Sequence, residues 1–262
     1  MRACLCPVTE EPVSNISVPQ RATGAALVQA QEPTRPAPAP ADTTPSQKAP
    51  IVRRAAFAGT PEILADLCRD SVNLAVWQRR LSQELIAECQ GFMQKPGFNS
   101  HRLVVPAAMA DDLTDLLPSL EDFPLLRADI ELLADMFTCL FDISAIGLRL
   151  TPLTDTMCPK FHVDRVPCRL ITTYVGPGTE WLANDCLDRS KLGAGSTGLS
   201  DAESGLYPTT QPVQSLAPGD VALLKGELWE GNEGAGLVHR SPAVPAGQRR
   251  LILTFDFASS DL

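Results

Sequence analysis

The sequence predicts an α+β fold in which amphipathic helices precede a β-rich half. Apolar residues recur at helical spacing before residue 142 and give way to short, closely spaced β-type segments after it. The first 50 residues hold nine of the 23 prolines and no aromatic residue. We therefore expect a disordered Pro/Ala-rich tail over residues 1–50 and a single globular domain over residues 51–262.

The helical part of the domain spans about residues 60–141. Thr60 and Pro61 predict the N-cap and the first residue of a short helix that ends near residue 69. Apolar residues at helical spacing predict two longer helices, and a run of apolar residues between the first two helices predicts a strand. The longer helices cover about Leu81–Met93 and Leu125–Phe141, and the strand covers Val72–Trp77.

Seven β-type segments follow in the part from about residue 145 to 257. Gly, Pro and Asp turns separate them, and many short strands at close spacing indicate a sandwich or a barrel. Residues 183–210 are rich in Gly, Ser and Asp and predict a long insertion or mobile loop of the kind that can form a lid. The segments are Ala145–Leu150, Lys160–Val163, Cys168–Val175, Gln211–Leu216, Asp220–Lys225, Leu237–Arg240 and Arg250–Phe257.

The charge and the apolar pattern exclude several classes of protein. The chain carries 22 Lys+Arg against 31 Asp+Glu, a net charge of −9, so we expect no non-specific binding of nucleic acid or of an anionic membrane. No apolar run approaches the roughly 20 residues that span a bilayer, and the first residues lack the apolar core of a secretory signal. We therefore expect a cytoplasmic protein with mostly reduced cysteines, and we assign no role to Cys4 and Cys6.

Two of the three histidines fall in a metal-ligand pattern. His162 and Asp164 stand at i and i+2 in a predicted strand, so their side chains point to the same face and can converge on one cation. His239 lies 77 residues downstream on another short predicted strand. Two imidazoles and a carboxylate occupy one face of an Fe(II) ion and leave the other face open to further ligands.

Arg249 and Arg250 begin the last predicted strand, ten and eleven residues after His239. The planar guanidinium of arginine binds a carboxylate in two places, which suits a keto acid whose other end binds the metal. We prefer Arg250 for this role because it opens the strand, and Arg249 is the alternative.

This order of residues resembles the Fe(II)/2-oxoglutarate-dependent dioxygenases, whose fold is a double-stranded β-helix (jelly-roll, cupin-like). The segment Gly147–Leu153 looks like the strand that enters the metal motif in that superfamily. The resemblance implies a double-stranded β-helix core with N-terminal buttressing helices, with 2-oxoglutarate anchored by Arg250. It also implies Fe(II) bound by His162, Asp164 and His239. The loop Gly176–Trp181 departs from the superfamily pattern and suggests a different substrate-binding element.

A closer resemblance covers almost all of residues 60–257. It is to a bacterial family known as domain of unknown function 1826, which has no assigned activity. The resemblance to that family implies a role in metal homeostasis and a functional link to a CobW-type GTPase. The segments that carry it are Cys158–Asp164, Tyr174–Trp181, Leu224–Glu227 and Val238–Pro242.

Two functions from different classes remain open. The first is a non-haem Fe(II) dioxygenase that uses 2-oxoglutarate to hydroxylate an unidentified small-molecule or protein substrate. The second is a cupin-like metal-binding accessory protein without turnover, with a role in zinc homeostasis. Cys158 stands four residues before His162, and a thiolate at the metal would favour zinc over iron.

Other residues near the motif are candidates for the wall of the pocket, with a purely structural role as the alternative. His162 and His239 themselves have such an alternative, since buried histidines are often bonded to backbone. His101 has no other candidate metal ligand near it in the sequence, and we expect it to be structural or exposed. The pocket candidates are Cys158, Arg149, Tyr174, Glu180 and Trp181.

Overall fold

The computed structural model describes residues 52–96 and 100–258. The predicted tail over residues 1–50, with Cys4 and Cys6, lies outside the described residues. The described part is a mixed α/β structure, mostly sheet, with α-helices α1 (Gln83–Gln94) and α2 (Pro124–Phe141). The strands are β1 (Arg54–Ala58), β2 (Val72–Trp77), β3 (His101–Pro106), β4 (Ala145–Leu153), β5 (Cys168–Val175), β6 (Glu180–Trp181), β7 (Gln214–Ser215), β8 (Val221–Lys225), β9 (His239–Arg240) and β10 (Arg250–Ala258).

The two α-helices follow the predicted apolar spacing, and a side chain of α1 caps the first turn of α2. α1 begins after Ser82, whose hydroxyl accepts a backbone N–H of the first turn at 3.1 Å, and α2 begins with Pro124. Glu88 of α1 accepts the N–H groups of Leu125 and Leu126 at 2.8 and 3.0 Å. A carboxylate at this place satisfies donors that the first turn of a helix leaves without partners.

The strands form a large and a small sheet. The large sheet has the order β1-β2-β8-β5-β10-β4-β3, and all its pairs are antiparallel except β1 with β2. The small sheet has the order β7-β6-β9, and an antiparallel bridge between His162 and His239 extends it by one residue beyond β9. From β4 onward the chain passes between the sheets repeatedly, since β4, β5, β8 and β10 lie in the large sheet and residue 162, β6, β7 and β9 in the small one.

Three apolar clusters fill the spaces on either side of these sheets. The first joins the helices to the outer face of the large sheet, through residues such as Phe137 and Phe255. The second lies between the sheets and includes Ile171 and Ile252 of the large sheet and Trp181 of the small one. The third covers the outer face of the small sheet with side chains of the 183–210 insertion and includes Phe161, Leu182, Leu206 and Val238.

Several segments differ from the expectations drawn from the sequence. The short helix after Thr60 is a 3-10 helix over Pro61–Cys68, and the Thr60 side chain makes no capping hydrogen bond. The region assigned to buttressing helices also supplies β2 and β3, and β1 lies just before it; of these three strands only β2 was predicted. The segments predicted over 160–163, 211–216 and 237–240 shorten to a single bridge and two two-residue strands. The insertion lies against the outer face of the small sheet as a cover.

Candidate metal centre

His162 and His239 face each other across the inner side of the small sheet. Each backbone N–H donates to the carbonyl of the other residue at 3.0 Å, so the two residues form a directly opposed antiparallel pair. Side chains of such a pair lie on the same face of a sheet. The imidazole ring centroids are 4.7 Å apart.

Asp164 completes a cluster of three donor atoms. One carboxylate oxygen lies 3.3 Å from Nε2 of His239 and the other lies 3.8 Å from Nε2 of His162. One ligand atom from each of the three residues lies within 4.8 Å of the other two. Two nitrogens and one oxygen at such separations can bind one metal ion. The structure therefore brings together all three residues that the sequence predicted as metal ligands.

The other nitrogen of each imidazole bonds to the backbone. Nδ1 of His162 lies 2.9 Å from the carbonyl of Lys160, and Nδ1 of His239 lies 3.1 Å from the carbonyl of Leu237. A carbonyl only accepts, so Nδ1 carries a hydrogen in both rings, and Nε2 has a free lone pair whenever the ring is neutral. Such bonds fix the tautomer and the ring orientation of metal-binding histidines.

The local environment also favours the deprotonated, metal-binding form of two ligands. Burial, followed by the charge of His239, lowers the pKa of His162. Burial raises the pKa of Asp164, but the hydrogen bond and charge of His239 and the charge of Arg169 outweigh it and lower that pKa to about 2. Metal ions compete with protons for these atoms, so both shifts favour metal binding near neutral pH.

Arg169 connects Asp164 to a second carboxylate on the neighbouring strand. Its Nη1 donates to Asp164 at 2.7 Å, and Nε and Nη2 donate to the two oxygens of Asp256 at 2.7 and 2.9 Å. A guanidinium that binds one carboxylate with two bonds is held in a fixed orientation. Asp256 and Arg169 therefore set the position of the Asp164 carboxylate at the metal site.

Arg250, the predicted anchor of the keto acid, has no anionic partner among the described residues. It is fully buried, and its guanidinium donates only to hydroxyl groups, those of Ser241 at 3.2 Å, Thr173 at 3.1 Å and Thr179 at 2.9 Å. Nε has no hydrogen-bond partner. Burial lowers the pKa of Arg250 to about 10, which still leaves the side chain charged at neutral pH. An unpaired buried cation is costly, so this site is suited to an anion.

The cavity joins the metal ligands to the partners of Arg250. His162 and His239 line it together with Thr179 and Ser241, which bind the Arg250 guanidinium. The two histidines and two of the hydroxyl groups that bind the Arg250 guanidinium therefore share one cavity.

The loop that departs from the superfamily pattern delivers Thr179 to Arg250. Gly176 has φ +87° and lies so close to the last strand that an added Cβ would be 2.6 Å from the carbonyl oxygen of Arg249. At Gly178 an added Cβ would be 1.9 Å from the carbonyl oxygen of Leu216. Only glycine fits at both places, and the tight turn that results places the Thr179 hydroxyl against the guanidinium.

The remaining predicted pocket residues divide between the cavity and other locations. Cys158 lines the cavity but lies outside the group of ligand atoms. Glu180 forms an ion pair with Arg240 at 2.6 Å, and Trp181 packs between the sheets. Tyr174 packs in the cluster on the helix side of the large sheet, where its hydroxyl donates to Asp129 at 2.7 Å.

The two remaining arginines of the prediction lie outside the cavity that contains the histidines. Arg149 lies on β4, with its guanidinium 3.9 Å from Asp256. Arg249 is exposed and donates to the carbonyl of Met93, so the structure does not bring it to the metal site.

Several residues of the site were not predicted from the sequence. Arg169 and Asp256 are charged residues inside otherwise apolar strands, which is a usable signal. Thr179 and Ser241 lie within the segments that carry the family resemblance, but nothing in their residue type marks them as partners of an arginine. Thr173 likewise gave no sequence signal.

The geometry of the three residues defines a class of site. Two histidines and one carboxylate form a three-ligand set that leaves coordination positions open, as in mononuclear non-haem iron sites and in catalytic zinc sites. The chain belongs to the family described as "Protein of unknown function (DUF1826)", which matches residues 58–256. None of the curated proteins matches the chain.

Solved structures give distant matches. The dioxygenase for auxin oxidation (DAO) in rice is 14% identical, with a TM-score of 0.46, over 80% of this chain and 84% of that one. Dioxygenase for auxin oxidation 1 from Arabidopsis thaliana, in its complex with 2-oxoglutarate, is 11% identical with a TM-score of 0.47, over 80% and 94%. HygX from Streptomyces hygroscopicus, with nickel and 2-oxoglutarate bound, is 14% identical with a TM-score of 0.41, over 78% and 89%. At these values the likeness is too distant to indicate an activity or a substrate for this chain.

The helices of the described residues were also expected to be too short or too polar to cross a membrane. None of the helices between residues 52 and 258, apart from the undescribed residues 97–99, combines the length and the apolar character that crossing a bilayer requires.

Proposed function

We propose that the protein is an Fe(II)/2-oxoglutarate-dependent oxygenase built on a double-stranded β-helix. The strand order supports the fold assignment. The large sheet contains the consecutive order β4-β10-β5-β8. The small sheet has the order residue 162-β9-β6-β7. Eight segments that alternate between two such sheets are the connectivity of a jelly roll.

The donor set fits the iron. His162, Asp164 and His239 would bind it through Nε2, a carboxylate oxygen and Nε2. When bound, iron and 2-oxoglutarate supply the activation of dioxygen, with one oxygen atom incorporated into succinate and the other into the hydroxylated substrate. The chain's own contribution is to hold the ligands in their deprotonated forms and to position the keto acid and the substrate.

The observation that carries the proposal is the unpaired buried guanidinium of Arg250 beside the metal site. The distal carboxylate of 2-oxoglutarate would neutralise it and bind its fork. The hydroxyl groups of Thr173, Thr179 and Ser241 can reorient to donate to the same carboxylate, since a hydroxyl is both donor and acceptor. A metal-storage or accessory protein has no need of a buried anion site at this place.

The proposal is tested by turnover without an added substrate, because the natural substrate is unidentified. Protein purified without oxygen is loaded with Fe(II) and exposed to air with 2-oxoglutarate and ascorbate, which supplies the two electrons that a substrate would otherwise give, and succinate is measured. We expect slow succinate formation that depends on Fe(II) and is abolished in His162→Ala and Asp164→Ala, which lose the metal. Tight Zn(II) binding, with neither binding nor turnover of 2-oxoglutarate, would overturn the proposal in favour of a zinc-handling accessory protein.

A further inference from the structure

Two arginines on the inner face of the large sheet form an unusual pair beside the metal cavity. Arg102 of β3 and Arg149 of β4 are directly opposed in the antiparallel register. Like charges at directly opposed positions are destabilising, because the two side chains lie on the same face within contact distance. Both line a second open cavity, together with Gly147, Val104 and Asp256.

Nearby carboxylates do not neutralise this pair. In the described part of the chain, Arg102 takes part in no ion pair, and Arg149 lies 3.9 Å from Asp256 with 42% of its side chain exposed. Asp256 is already bound by two short hydrogen bonds from Arg169. The region is therefore locally basic, although the chain as a whole has a net charge of −9.

The second cavity lies next to the metal cavity along one row of the large sheet. Thr254 lines the metal cavity, its cross-strand neighbour is Arg149, and the neighbour of Arg149 is Arg102. Adjacent strands are about 4.8 Å apart, so the two guanidinium-bearing positions lie about 5 and 10 Å across the sheet from Thr254. Gly147 in the next row has no side chain, and an added Cβ would meet nothing closer than 3.8 Å. Its absence of a side chain keeps the floor of the cavity open.

We propose that Arg102 and Arg149 bind an oxyanion, a carboxylate or a phosphate, of the primary substrate. This inference rests on the proposed function. The substrate class is a small organic anion that extends from the metal cavity across the sheet, so that its charged group reaches the row of Arg149 and Arg102. The substrate anion relieves the repulsion between the two arginines, and Val104 and Gly147 contact its less polar body.

The proposal is tested by equilibrium binding and needs no turnover. The probes are 3-phenylpropionate, its neutral amide, and inorganic phosphate, titrated calorimetrically into the full chain at low salt. Arg102→Gln and Arg149→Gln remove the charges one at a time. Gly147→Val fills the floor without removing a charge. Arg80→Gln is the matched control, since Arg80 is an exposed arginine on another part of the surface.

We expect an anionic probe to bind the wild type, and the affinity to fall at least tenfold in Arg102→Gln, Arg149→Gln and Gly147→Val while it changes less than twofold in Arg80→Gln. The amide should bind at least tenfold more weakly than the carboxylate. Whether 3-phenylpropionate or phosphate binds more tightly decides which oxyanion the substrate carries. Because Arg102 has no ion pair to lose, its variant keeps the test valid if Arg149→Gln fails to fold.

Absence of anion binding, equal binding of the amide, or wild-type affinity in both arginine variants would overturn the proposal. Titration of Fe(II) and 2-oxoglutarate into the same samples distinguishes failure of the substrate subsite from failure of the proposed oxygenase function. Normal binding of metal and keto acid with no effect of Arg102→Gln rejects only the substrate subsite. If the wild type binds no metal or no keto acid, the proposed function itself is rejected.

Discussion

Hydrogen bonds from neighbouring groups hold each of the three candidate metal ligands in place. Both imidazoles are fixed by Nδ1–H bonds to backbone carbonyls, and the Asp164 carboxylate is fixed by Arg169. The backbone bonds cannot be removed by mutation of another side chain, whereas the bond from Arg169 can.

Replacing Arg169 by Met tests whether this bond positions the metal ligand. The variant leaves the Asp256 carboxylate without its bidentate partner and frees Asp164 to rotate, so we expect metal affinity to fall about 10–100-fold. Metal competition titration measures it, with the exposed Arg165→Met as the matched control. An Arg169→Met affinity equal to that of the control would show that Arg169 has no positioning role.

Cys158 distinguishes the iron hypothesis from thiolate binding of zinc. It lines the metal cavity but does not belong to the cluster of ligand atoms. We therefore expect Cys158→Ser to change metal affinity less than twofold, and the Co(II)-substituted protein to lack a thiolate charge-transfer band. A large loss of affinity in Cys158→Ser would identify a thiolate ligand and count against iron.

At this scale the sequence predicted the residues with distinctive chemistry. His162, Asp164 and His239 share a spacing and a ligand chemistry that can be recognised without a structure. The roles of Arg169 and Thr179 depend on which strands lie side by side and on a glycine turn, so residue type alone could not reveal them. The sequence favoured Arg250 over the adjacent Arg249, and the structure places Arg250 as the buried first residue of β10 and leaves Arg249 exposed just before the strand.

Among the elements, the 183–210 insertion is hydrogen-bonded to the segments of the small sheet and packs on the outer face of that sheet. Asp201 accepts the backbone N–H of Phe161 at 2.9 Å and a bond from Arg240 at 3.3 Å. Phe161 directly precedes His162, and Arg240 directly follows His239. The insertion is therefore attached to both segments that carry the imidazoles.

Replacing Asp201 by Ala tests this attachment. The variant leaves a buried backbone N–H and part of a guanidinium without an acceptor, which costs about 1–3 kcal/mol of unfolding free energy. We expect this loss in chemical denaturation, together with faster proteolysis within residues 183–210. Asp185→Ala, at an exposed position of the same insertion, is the control. Equal stability and equal proteolysis in the two variants would contradict the attachment.

Helices were easier to predict than the strands of the small sheet. α1 and α2 have sustained apolar spacing, and both were predicted within a few residues. The segment before β5 pairs through only one residue, and Pro159 and Pro167 within it cannot donate to a ladder. β3 was missed because exposed Arg102 and Val104 alternate with half-buried residues, so it lacks the apolar signal of an internal strand.

For the molecule as a whole, stability depends on a few buried charges in addition to the apolar clusters. Lys225 at the end of β8 is 1% exposed, donates to the carbonyl of Arg69 at 3.0 Å and lies 4.6 Å from the ring centroid of Trp229. Burial, followed by the charge of Arg53, lowers its pKa from 10.5 to about 8.

The shift at Lys225 predicts a pH dependence of stability. Between pH 8 and 10.5 the unfolded chain keeps the proton that the folded chain releases, so the contribution of Lys225 to unfolding free energy rises with pH over this window. We expect the stability difference between the wild type and Lys225→Met to move in favour of the wild type from pH 7.5 to 10. Denaturation at several pH values measures it, with the half-buried Lys191→Met as control. A pH-independent difference would contradict the burial of a charged amine.

Strand topology was the part of the whole fold least accessible from the sequence. β2 and β3 come from the helical half yet join the large sheet on opposite sides of β8-β5-β10-β4. Such long-range pairing leaves no local signal. The alternation of the later segments between two sheets was accessible only through the superfamily resemblance.

The central claim is that the histidine–aspartate triad and Arg250 together bind one keto acid. Titration of 2-oxoglutarate into oxygen-free protein, with and without Fe(II), tests it most directly. We predict one equivalent of 2-oxoglutarate per Fe(II)-loaded chain, much weaker binding without the metal, and about hundredfold weaker binding in Arg250→Gln, which keeps its Fe(II). No binding to the Fe(II)-loaded wild type, or wild-type affinity in Arg250→Gln, would contradict the claim.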